Sequence, residues 1–189
     1  MDIKDTYKKI FADIQKKKYF LVFTIFIFSL AAALSVFNPP ELRGILLEMV
    51  NAIRMLSQDL QNRSLLYVIA KIFTHNAIAS FIALLSGALL SLIPLSMVIA
   101  NGYVIGSVVI PRLSKIGLLI PHGVFELPAF VLVCSYGIWL GLWPFKRGRI
   151  ENLKLRLKQC IIIYVWIVVP LLIIAATIEG TLFKYMPGH

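Results

Sequence analysis

Apolar runs separated by short polar pieces divide this chain, and the length of each run decides what it can be. Residues 1–18, MDIKDTYKKIFADIQKKK, place Ile3, Tyr7, Ile10, Phe11 and Ile14 on one helical face, with six lysines around much of the rest. An apolar stripe opposite a lysine-rich face suits a helix lying at a membrane surface. Residues 19–37 are apolar almost throughout, close to the roughly twenty residues a helix needs to cross hydrocarbon. Asn38-Pro39-Pro40 ends this first span, because proline cannot continue a helix and restricts the residue before it. Ala31-Ala32-Ala33 resembles a signal-peptide cleavage site, but the basic leader is long, and the segment is read as a retained span.

Apolar positions then recur at 42, 45, 46, 49, 53, 56 and 60, with Glu41, Arg43, Glu48, Arg54 and Asp59 on the other face. This pattern predicts an amphipathic helix over 41–64, too polar to span and lying on the membrane or on a partner. Further apolar runs predict spans at 72–92, 95–110, 122–143 and 160–178, with Pro94 separating the second from the third. Between the last two, residues 146–158 read as a solvated basic surface facing headgroups. The expected architecture is all-α: a single polytopic membrane domain, a bundle of about five transmembrane helices plus an amphipathic extracytoplasmic helix.

Composition excludes the soluble alternative. Of 189 residues, 59% are hydrophobic and 15% charged, against about 25% charged in soluble domains. A net charge of +10 would suggest nucleic acid in a soluble protein. Here the positive charge flanks apolar runs, so the expected partner is a bilayer with anionic headgroups, and no nucleic acid. Six lysines in 1–18 and six basic residues in 146–158 share one side, against six on the other. The positive-inside rule then places the N-terminus in the cytoplasm and the C-terminus outside, in a multi-pass protein of the cell membrane. Cys134 and Cys160 fall in predicted spans without metal-ligand spacing, and read as buried apolar cysteines.

Polar residues inside the spans need a reason, since an ionisable group at a helix centre costs about 3 kcal/mol to insert. His122 and Glu126, in LLIPHGVFELPAF, lie one helical turn apart between Pro121 and Pro128. Pro128 cannot donate to the carbonyl of Val124, which predicts a bent, broken start to the fourth span. His75 and Asn76 open the second span, Asn101 lies in the third, and Glu179 ends the fifth. His75, Asn76, Asn101, His122, Glu126 and Glu179 therefore form the candidate polar site. Gly102 and Gly106, and Gly137 and Gly141, have the G-x-x-x-G spacing of close helix contact, and Gly87 stands eleven residues beyond Asn76. These five glycines are read as packing positions. There is no H-E-x-x-H, G-x-S-x-G or phosphate loop, so neither an enzyme nor a cofactor is expected. Whether the His and Glu residues hold a metal stays open at this spacing.

FTHN, NGYVIG, PHGVFELPA and the closing IEG, taken together over roughly residues 70–185, resemble the stage II sporulation protein M family. The resemblance implies a multi-spanning membrane protein. In spore-formers it implies a place in a membrane complex with cell-wall hydrolases that drives engulfment of the forespore. The family's polar positions correspond here to His75, Asn76, Asn101, Gly102, His122, Gly123, Glu126, Pro128 and Glu179. Two readings of function follow. One is a non-enzymatic membrane component of a cell-envelope complex, in a homo-oligomer or with other membrane or envelope proteins. The alternative is a small oligomeric transporter or channel, binding a proton, ion or small solute at the His/Glu/Asn site.

Overall fold

Long apolar runs in this chain become helices, because only a helix satisfies its own backbone in lipid. A computed structural model describes residues 3–37, 63–109, 120–145 and 148–185; the side chains of 108, 109 and 120–122 lie outside that description. The stretch 41–62, expected to be an outer amphipathic helix, also lies outside the described residues.

Helix α1 (Ile3–Lys16) leads through Lys17 into α2 (Lys18–Leu34), which closes in a 3-10 turn at Ser35–Phe37. Helix α3 (Leu65–Ser86) begins where the Ser64 hydroxyl accepts from the Tyr67 backbone N–H at 3.3 Å. Helix α4 (Leu92–Val109) and helix α5 (Ile120–Leu140) follow, then a 3-10 turn at Trp143–Phe145. Helix α6 (Arg149–Ile163) passes through a π turn, Tyr164–Val168, into α7 (Val169–Tyr185). The π turn sits just before Pro170, whose missing N–H interrupts the regular ladder there. No strand occurs among the described residues.

Among the described residues, four segments are long and apolar enough to cross a membrane: Lys18–Phe37, Leu65–Ser86, Gly123–Phe145 and Arg149–Tyr185. Helix α4 is a shorter apolar helix. The protein is thus an all-helical membrane protein. At 1.5 Å per residue, the 37 residues of Arg149–Tyr185 reach about 55 Å. The hydrocarbon is only about 30 Å thick, so the basic first turns of α6 stand outside it.

Helix α5 is the centre. It packs against α2, α3, α4, α6 and α7, and seven consecutive residues, 132–138, are buried. In lipid, helices gain little by hiding apolar surface from one another, so close approach and hydrogen bonds decide the packing. Glycines supply the approach. A Cβ on Gly87 would stand 2.2 Å from the Gly137 carbonyl oxygen, and one on Gly137 would stand 2.8 Å from Pro94. Gly141 similarly receives Ser91. On the other side, Gly102 and Gly106 of α4 lie against Phe28, Ala31 and Ala32 of α2 and Ser35 of the turn that closes it. Small residues four apart therefore face each other across the α2–α4 contact.

The α3–α4 connection differs from the expected break at Pro94. The chain turns at 87–91, and Leu90 and Ser91 take positive φ, 56° and 65°. Pro94 instead lies in the first turn of α4, where its missing N–H is not needed. The turn is held from outside: the Ser91 hydroxyl donates to the Ile138 carbonyl at 2.7 Å, and Trp143 Nε1 donates to the Ala88 carbonyl at 3.0 Å.

Candidate functional site

The polar residues singled out in the sequence separate into two groups by burial. Glu126 of α5 and Glu179 of α7 are half-buried, and the Oε2 atom of each is fully buried. Their helices pack directly against one another. Asn76 is half-buried on α3, beside Ala77, whose carbonyl accepts from the Tyr164 hydroxyl at 2.6 Å. Helix α3 packs against both α5 and α7, so Asn76, Glu126 and Glu179 lie on three mutually packed helices. His75 and Asn101 are exposed, and the Asn101 side chain donates to the Met97 carbonyl of its own helix at 2.9 Å. His122 belongs to the first turn of α5, but its side chain lies outside the described residues. Among the described residues, no three His, Cys, Asp or Glu side chains are grouped to hold a metal ion.

Helix α5 also runs unbroken through Pro128, where a bent, broken start was expected. One proline deprives a helix of one donor, and packing by neighbouring helices holds the rest of the ladder in place. The carbonyl left without its usual helical partner is that of Val124, an exposed residue.

A second polar assembly, not anticipated from the sequence, occupies the lysine-rich end of the bundle. Lys17 is only 8% exposed and Arg156 only 6%, although both belong to segments that read as solvated basic faces. A buried cation is costly unless its charge or its donors are met: Lys17 is met by a carboxylate, Arg156 by neutral acceptors and an aromatic ring. Lys17 forms an ion pair with Asp13 and donates to Gln159 Oε1 at 3.3 Å. Its ammonium also sits 4.1 Å from the Trp139 ring centroid and 5.1 Å from that of Tyr136. The Tyr136 hydroxyl donates to Asp13 Oδ2 at 2.8 Å. Arg156 donates to Asn152 Oδ1 at 2.6 Å and to the Trp139 carbonyl, with its guanidinium 4.5 Å from the Trp139 centroid. Two cations thus lie within cation–π reach of the Trp139 ring, a favourable use of an aromatic side chain.

Three helices meet in this assembly: α1 through Asp13 and the following Lys17, α5 through Tyr136 and Trp139, and α6 through Asn152, Arg156 and Gln159. The local signals were the i,i+4 pairs Asp13/Lys17 and Asn152/Arg156; nothing local linked them to the aromatic pair. The consequence is that α1 is docked on the bundle. Ile10 is buried in the core, while Ile3 and Phe11 remain exposed. Tyr7 meets Trp166 edge-to-face at 5.8 Å. Beside these contacts a cavity of about 370 Å³ opens between α1 and α6, lined by Lys9, Ile10, Lys158, Ile162, Ile163 and Trp166 among others.

Deeper in the bundle, Thr24 of α2 and Ser135 of α5 form a buried hydroxyl pair at 3.0 Å. Each hydroxyl also reaches a carbonyl of its own helix, Thr24 that of Phe20 at 2.8 Å and Ser135 that of Val131 at 2.6 Å, so the two single protons are shared among three contacts. Cys134 and Cys160 are both buried free thiols.

The family model for stage II sporulation protein M matches residues 19–182. No curated protein and no solved structure matches the chain.

Proposed function

We propose, from the premise that this chain belongs to the stage II sporulation protein M family, that it is a non-enzymatic membrane component of a cell-envelope complex. The observation that carries this reading is the filled centre of the bundle. Seven consecutive residues of α5 are buried, and the backbones of Gly87 and Gly137 meet with no room for a methyl group. Such a core is a rigid support. Its surfaces, not its interior, are where it acts. In this reading the lysine-rich end faces the cytoplasm and the segment 41–64 docks envelope partners on the other side, with the C-terminus outside.

Burial of the Glu126 and Glu179 Oε2 atoms favours the second reading, a small oligomeric transporter. Carboxylates at membrane depth commonly mark ion or proton pathways. Reconstitution into sealed vesicles with pH- and ion-sensitive dyes separates the two. The scaffold reading expects no flux above that of empty vesicles, and Glu126→Gln then acts on thermal stability alone. Flux that disappears in Glu126→Gln while the melting midpoint stays unchanged overturns the scaffold reading.

A further inference from the structure

We propose that the groove between α1 and α6 is a binding site for a single anionic phospholipid of the leaflet at the lysine-rich end. The chemistry of the groove changes along its length. Lys9 and Lys158 are exposed at its rim, while Ile10, Ile162, Ile163 and Trp166 form its apolar floor. On α6 this change falls at a definite place: basic residues stop at Lys158, and the sequence from Cys160 to Ile163 is wholly apolar. The groove therefore straddles the boundary between headgroups and hydrocarbon, where tryptophan and tyrosine also concentrate. Trp166 and its neighbour Tyr7 stand there.

Charge complementarity selects the ligand. Asp13 also lines the groove, but its carboxylate is held by Lys17 and by the Tyr136 hydroxyl. The positive charge of the two rim lysines is left to act outward. A free anion would make no use of the isoleucine and tryptophan floor, and a zwitterionic lipid would gain less from two exposed lysines at the rim. An anionic phospholipid uses both: its phosphate between Lys9 and Lys158, and the start of one acyl chain on Ile162 and Trp166. The volume, about 370 Å³, falls in the range of about 300–1,000 Å³ for ligand pockets. The inference concerns the face of the bundle, and stands whether the protein scaffolds or transports.

Brominated lipids quench tryptophan on contact and so report occupancy by a chain. The full-length protein in nanodiscs or mixed micelles is titrated with brominated phosphatidylglycerol, and separately with brominated phosphatidylcholine. The expected result is saturable, stronger quenching by the anionic lipid, with the saturable part lost in Trp166→Phe. Lys9→Gln and Lys158→Gln should each weaken binding about fivefold, from about 1 kcal/mol per interfacial lysine. The charge-matched control, Lys8→Gln with Lys154→Gln, removes exposed lysines outside the groove and should leave the affinity within twofold. Equal quenching by both lipids overturns the proposal, as does a control that weakens binding as much as the rim pair. Displacement by inorganic phosphate at matched ionic strength would assign the lysines to a free anion, and also overturns it.

Discussion

Replacing Gly87 by alanine isolates the close approach at the centre of the bundle. Gly87 has φ −53° and ψ −29°, a conformation alanine adopts freely, so no backbone strain enters. The added methyl carbon would lie 2.2 Å from the Gly137 carbonyl oxygen and 2.7 Å from its Cα. Carbon–oxygen contacts relax near about 3.3 Å, so the α3–α4 turn and α5 must part by about 1 Å. Overpacking of this kind costs about 1–3 kcal/mol. The shift also strains the bonds from Ser91 to Ile138 and from Trp143 to Ala88, at about 0.6 kcal/mol each in a membrane bundle. The sum is about 2–4 kcal/mol, or roughly 4–16 °C in the midpoint for a chain of this size. Thermal unfolding in detergent, followed by size-exclusion recovery after heating, measures it. Gly123→Ala is the control, because among the described residues its methyl meets only Leu127, at an ordinary 3.4 Å. It should be neutral or slightly stabilising, since alanine is the better helix former. If Gly87→Ala melts with the parent protein, or if Gly123→Ala loses as much, the packing account of α5 is wrong.

The lysine-rich end makes a second set of predictions. Tyr136→Phe removes only the bond to the Asp13 carboxylate and should cost about 1.5–3 kcal/mol. Arg156→Ala leaves the Trp139 carbonyl and Asn152 without their donor and should cost about 1–3 kcal/mol, both read from the same melting assay. Leu90→Gly relieves a left-handed residue at φ 56°, and should leave stability unchanged or raise it by up to about 1 kcal/mol. For topology, single cysteines at Lys8 and Lys154 should react with an impermeant reagent from one side and a cysteine at Ala52 from the other. The native Cys134 and Cys160 are buried and should stay silent. Labelling of positions 52 and 154 from the same side would refute the proposed orientation.

What the sequence discloses here, and what it hides, follows from the solvent. Run length alone exposes the helical membrane class, because hydrocarbon thickness sets the length of an element. The glycines at 102, 106, 137 and 141 are visible because close helix approach requires small residues four apart, and they are found at such contacts. Facing is much harder to read. Helices α3, α4 and α5 are apolar on every side, so periodicity cannot tell lipid from protein. That is why nothing in the sequence distinguishes the exposed Asn101 from the half-buried Asn76. The buried Lys17 and Arg156 were hidden for another reason. Their burial depends on Trp139, separated by 122 positions from one and 17 from the other, and no local pattern encodes that meeting. The turn at Leu90 and Ser91 carries no glycine at its left-handed positions, so the proline three residues on looked like the break.

The mass of the assembly in its own membrane tests the scaffold reading most directly. Cross-linking in native membranes, followed by extraction and intact-mass measurement, should recover the chain with at least one envelope protein in fixed stoichiometry. Glu126→Gln should leave that stoichiometry unchanged, since the account places the working surfaces outside the bundle. Recovery of the chain alone or only with its own copies, from membranes where it supports a Glu126-dependent ion flux, would contradict it.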